Sequence, residues 1–126
     1  MINKSNIFIL LFVFSTHALA GYTAVYNCKM GDTKITPETC LLDSTMKITK
    51  GNSSKVYTVD NFFELHMQMN QPVHNETRIN LGNGPFEINT RNNTEGVILS
   101  IKVYDPNGKL VFSDEAAQYG RVRVSR

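Results

Sequence analysis

Val97-Ile98-Leu99-Ser100-Ile101-Lys102-Val103-Tyr104, then Asp105-Pro106-Asn107-Gly108, then Lys109-Leu110-Val111-Phe112 is the stretch on which the fold class rests. Eight residues rich in β-branched and aromatic side chains read as a strand, and the four that follow read as a turn. Pro106 suits the first corner of a type I turn, and Gly108 supplies the left-handed residue that rejoins the partner strand. The segment is therefore expected to form a β-hairpin.

Shorter runs of the same kind flank it. Tyr22 to Cys28 reads as a first strand, and Met46-Lys47-Ile48 and Val56-Tyr57-Thr58-Val59 form a hairpin around Gly51-Asn52-Ser53-Ser54. From Phe62 to Met69 apolar and polar residues alternate. Phe63, Leu65, Met67 and Met69 fall on one face and Glu64, His66 and Gln68 on the other, which predicts a half-buried strand. Arg78 to Leu81 and Phe86 to Ile88 continue the pattern around Gly82-Asn83-Gly84-Pro85, and a last strand starts at Arg121. Two helical turns are expected. One follows Thr36-Pro37-Glu38-Thr39, which offers a cap, a proline at the first helical position and an acid in the first turn; the other spans Asp114 to Gln118. The whole reads as an all-β protein, a small antiparallel β-sandwich of immunoglobulin-like type with roughly seven to nine strands. A small β-barrel is the alternative.

The chain has 126 residues. Its opening carries the parts of a cleavable signal peptide over residues 1–20: Lys4, the apolar run Ile7 to Phe14, and the small-x-small site Ala18-Leu19-Ala20. That run is far short of the about 20 residues a membrane-spanning helix needs. Residues 21–126 then form a single sandwich domain, exported to the periplasm or the medium. Cys28 and Cys40, the only cysteines, are expected to form an intramolecular disulfide in such a compartment. Eleven residues separate them, which excludes a CxxC redox motif, and two thiols without a nearby His or second Cys pair make a poor zinc site.

The formal net charge of +2 is too small for a nucleic-acid-binding signature. The basic cluster at the C-terminus is Arg121, Arg123 and Arg126. On a strand Arg121 and Arg123 share a face opposite Val122 and Val124, so they either guard an edge or form a partner contact. Enzymatic chemistry finds little footing. Beyond residue 20 the histidines are His66 and His74, neither Ser nor Cys sits in a Gly-x-Ser-x-Gly elbow, and there is neither a phosphate-cradling glycine loop nor an HExxH. No cofactor is implied. Asn52-Ser53-Ser54, Asn75-Glu76-Thr77 and Asn92-Asn93-Thr94 match the N-glycosylation pattern and read as exposed loops.

Met67 and Met69, with His74 beyond Pro72, could hold copper(I) through thioether and imidazole ligands. In this the chain is loosely similar to small periplasmic copper carriers, which pair a Met-x-Met with a His and cap the metal with a Trp; this chain has no Trp. Phe63 and Leu65 share the expected methionine face, so core packing is the simpler role for both methionines. By elimination the expectation is a non-enzymatic binding protein that presents a strand edge or loops to another protein, with a soft-metal carrier as the alternative.

Overall fold

A computed structural model describes residues 21–66 and 76–126. Among them nine strands form two open antiparallel sheets: β1 (Tyr22–Met30), β2 (Thr33–Ile35), β3 (Met46–Lys50), β4 (Ser53–Tyr57), β5 (Glu76–Gly82), β6 (Phe86–Arg91), β7 (Ile98–Tyr104), β8 (Leu110–Ala116) and β9 (Arg121–Ser125). The first sheet runs β2-β1-β7-β8, with β5 also paired to β1, and the second runs β4-β3-β6-β9. The sheets pack face to face as a β-sandwich, and neither closes into a barrel.

β1 organises the first sheet. One of its edges pairs along its length with β7, from Thr23↔Tyr104 to Lys29↔Ile98. The other is shared: β5 covers it as far as Asn27↔Glu76, and β2 takes over at Cys28↔Ile35. Gly21 approaches the end of β5 so closely that a Cβ there would lie 2.5 Å from the Gly82 carbonyl carbon. Alternation then sorts the side chains. Ala24, Tyr26, Ile79, Leu81, Leu99, Ile101 and Val103 point inward from the first sheet and meet Met46, Ile48, Phe86, Ile88 and Val122 from the second.

The hairpin β7–β8 is built as its sequence dictates. Asp105 Oδ1 accepts from the backbone N–H groups of Asn107 and Lys109, each at 2.9 Å, and Gly108 takes φ 84°. In the β3–β4 hairpin the loop is shorter than expected. Lys50 pairs with Ser53, so Gly51-Asn52 alone turns the chain and both serines join the strand. Gly51, at φ 60°, supplies the first corner that a two-residue type II′ loop requires. The turn after Thr36 is a 3-10 helix, Pro37–Leu41, and it delivers Cys40 to a disulfide with Cys28 at a Cα–Cα distance of 6.0 Å.

Two expectations are corrected. The segment beginning at Phe62 starts as a short helix, α1 (Phe62–His66), instead of a strand. Asn61 decides this. Its Oδ1 accepts from Thr58 N–H at 2.7 Å and its Nδ2 donates to Val56 O at 3.1 Å, folding the chain back before Phe62. Asn61 O then accepts from Glu64 N–H at 3.0 Å. Phe62 and Leu65, three apart, share one helical face and are both buried, with Phe62 against the Tyr26 ring. The i, i+3 pair outweighed the i, i+2 alternation. Met67 and Met69, at the end of that expected strand, lie outside the described residues. The helical turn expected over Asp114 to Gln118 is likewise replaced. β8 continues to Ala116, held opposite β7 by Ser100↔Glu115 and Leu99↔Ala116, and the chain turns only at 117–120.

Candidate functional site

β9 forms one edge of the second sheet, paired to β6 from Arg91↔Arg121 to Glu87↔Ser125. Val122 points into the core, so Arg121 and Arg123 project from the outer face, as the alternation of this strand requires. They do not stand alone there. The outward positions of β3 and β6 add Lys47, Glu87, Asn89 and Arg91. Arg123 Nε donates to Glu87 Oε2 at 2.6 Å and Arg121 Nη1 to Asn89 Oδ1 at 2.8 Å. The face therefore carries Lys47, Arg91, Arg121 and Arg123 against a single carboxylate.

Two details of this face run against local stability. Arg91 and Arg121 are direct cross-strand partners, and like charges opposite one another weaken a sheet. Beside them Tyr119 is 64% exposed at φ 68°, a left-handed conformation that costs an aromatic residue of order 1 kcal/mol. Glycine, which would relieve the strain, stands one position later at Gly120. There its missing side chain serves a different need, because a Cβ would lie 3.1 Å from Ala117 O and 3.2 Å from Ala116 Cβ. The turn is fixed from below. Asn92 N–H donates to Gly120 O at 2.9 Å, and Tyr119 N–H donates to Asn92 O. The Arg91 guanidinium lies over the Tyr119 ring, 5.8 Å from its centroid.

Arg126, grouped with Arg121 and Arg123 in the sequence, has a different role. Its Nη1 donates to Asn83 O at 2.8 Å and to Gly84 O at 3.1 Å, and its guanidinium covers the Tyr22 ring at 4.3 Å. It clamps the end of β9 onto the β5–β6 turn.

The remaining sequence candidates divide cleanly. Cys28 and Cys40 are fully buried and disulfide-bonded. Met67, Met69 and His74 lie outside the described residues. The loop pattern at Asn92 is corrected. Asn92 is fully buried, its Nδ2 donating to Val97 O at 2.8 Å and Ala116 O at 2.9 Å while its Oδ1 accepts from Thr94 N–H at 2.9 Å. An Asn-x-Thr pattern matches an internal bracing residue here as readily as an exposed acceptor. Asn52 is exposed, and Asn75 lies outside the described residues. Among the described residues no group of three or more His, Cys, Asp and Glu side chains could hold a metal ion, and no helix is long and apolar enough to cross a membrane.

Sequence reasoning missed Lys47, Arg91 and Tyr119. Alternation places Lys47 and Arg91 on the outside of their strands, but only the β6–β9 pairing sets Arg91 opposite Arg121. No protein-family model, curated protein or solved structure matches this chain.

Proposed function

We propose that this chain is an exported, non-enzymatic binding protein that recognises an acidic surface of a partner protein through the outer face of the second sheet. The single observation that carries the reading is the pair Arg91 and Arg121, set opposite one another with no carboxylate on either among the described residues, beside Arg123 and the strained, exposed Tyr119. A carboxylate-bearing segment laid across β6 and β9 relieves the repulsion that the free protein tolerates. Arginine and tyrosine are also the residues that concentrate binding energy in protein interfaces, through planar hydrogen-bonding forks and rigid ring contact. Backbone strain kept at an exposed aromatic fits a contact residue. The disulfide and the n-, h- and cleavage-region pattern of residues 1–20 support an oxidising destination outside the cytoplasm.

The test is affinity capture from envelope fraction and culture medium with wild-type protein, R121S/R123S and Y119A as bait. The wild type is expected to retain a partner that elutes with rising salt, and both variants to lose it while remaining folded monomers. If R121S/R123S captures the partner normally and self-associates, the arginines only guard the edge and the proposal fails. Full capture by a monomeric R121S/R123S overturns it equally.

A further inference from the structure

The outer face of the first sheet, on the other side of the sandwich, holds a groove of about 420 Å³, within the usual size range of small-molecule sites. Its floor is Val25 and Asn27 of β1. Both point away from the core, yet they are only 5% and 8% exposed. Register fixes the walls: Val25 lies between Arg78 of β5 and Lys102 of β7. Two strand spacings place the roots of these cations roughly 10 Å apart. Tyr104 and Thr23, themselves cross-strand partners, close one end. At the other end Glu76 bridges Lys34 at 3.6 Å and Arg78 at 3.2 Å, so one carboxylate serves two cations. Lys102 has no ion pair or hydrogen-bonded side-chain partner among the described residues. The lining thus carries three cations against one acid.

We infer that this groove binds an acidic saccharide, a sugar ring bearing a carboxylate. The three parts of such a ligand match three parts of the groove. A carboxylate suits the fork of Arg78 or the ammonium of Lys102, which present N–H donors from both walls. The C–H face of a pyranose suits the Val25 side chain and the Tyr104 ring, an apolar floor with an aromatic wall. Ring hydroxyls suit the Asn27 carboxamide and the Thr23 hydroxyl, which donate and accept at once. A bare inorganic anion would leave Val25 and Tyr104 unused, and a neutral sugar would leave Lys102 without a counter-charge. The site shares no residue with the Arg121 face, so the two readings stand or fall separately.

The experiment titrates ¹⁵N-labelled protein, at physiological salt, with an oligogalacturonate, its methyl ester and citrate. Oligogalacturonate is expected to shift the amides of Thr23, Val25, Asn27 and Lys102. The ester and citrate should each bind at least about tenfold more weakly. K102Q, which removes an exposed charge without touching the core, should weaken oligogalacturonate about tenfold, as should R78Q, while R121S/R123S binds as the wild type. Equal binding of acid and ester overturns the proposal, and citrate binding as tightly as the saccharide overturns the sugar assignment. Shifts confined to β6 and β9 would transfer the anion to the opposite face and overturn it as well.

Discussion

Tyr26 and Asn92 show two opposite ways of burying a polar group. The Tyr26 hydroxyl is buried without a hydrogen-bond partner, so its ring contributes apolar contact, with Phe62 at 5.9 Å between centroids, while its oxygen is a liability. Burial pushes the phenol well above its ordinary value, and Glu38 adds to the shift. The folded state therefore favours the neutral phenol. Its contribution is fully present below the unfolded value of about 10, and it is lost as pH rises beyond that point toward the folded value. Y26F is expected to leave stability unchanged or raise it by up to about 1 kcal/mol, and to remove part of the alkaline destabilisation. Urea titrations at neutral pH and above pH about 10 check both, and a loss beyond about 1 kcal/mol would reveal a partner for the hydroxyl. Asn92 is the reverse case, with all of its side-chain groups bonded to backbone. N92A strands the carbonyls of Val97 and Ala116 together with Thr94 N–H, and should cost about 2–4 kcal/mol. N93A, whose side chain meets Asp43 O at an exposed site, should cost under about 1 kcal/mol. Similar denaturation midpoints for the two variants would contradict this bracing role.

At the scale of elements, the sandwich must protect its open edges, since unpaired strands invite other strands. β8 and β9 are edge strands of different sheets, and each carries charge. On β9 the arginines stand outward. On β8 the protection is an inward-phase charge: Asp114 lies opposite Ile101 on the core side of the sheet, yet remains exposed. D114V is expected to convert β8, already exposing Leu110 and Val111, into an adhesive edge. Analytical ultracentrifugation should then detect self-association absent from the wild type, and a monomeric D114V would remove this role from Asp114. The disulfide works at the same scale. It joins β1 to the 3-10 helix across a sequence separation of 12, and closing a loop of that length stabilises a fold by roughly 3 kcal/mol. C28S/C40S should lose about that much in chemical denaturation, and a loss near zero would show that packing alone holds the helix on β1.

At the scale of the whole molecule, a small net charge hides an organised surface. The formal +2 includes one outer sheet face with four cations around Glu87, and on the other outer face a groove with three around Glu76. Many acids stand elsewhere, such as Asp32 in the β1–β2 turn, Asp43 after the 3-10 helix and Glu95 before β7. The proposed export is tested on the whole molecule as well. Protein recovered from its native compartment is expected to begin at Gly21 and to show no alkylatable thiol in intact-mass analysis. Two modified cysteines, or a retained leader, would contradict the proposed oxidising destination.

Read by itself, the sequence determined the all-β class, the β7–β8 hairpin, the disulfide pair and the outward placement of Arg121 and Arg123. Each follows from chemistry within a few neighbours: alternation, the Asp-Pro-Asn-Gly turn, or a lone cysteine pair. It misread Phe62 as the start of a strand, because a five-residue helix and a short strand present nearly the same apolar spacing. Only the side-chain bonds of Asn61 and the room beside Tyr26 separate them. Tertiary structure alone decided which strands became neighbours. That choice set Arg91 against Arg121, laid Val25 between Arg78 and Lys102, and buried Asn92 in a pattern that elsewhere marks an exposed loop. Strand pairing joins residues far apart in the chain through backbone groups that every residue carries, so the identity of a partner strand leaves almost no local trace in either strand.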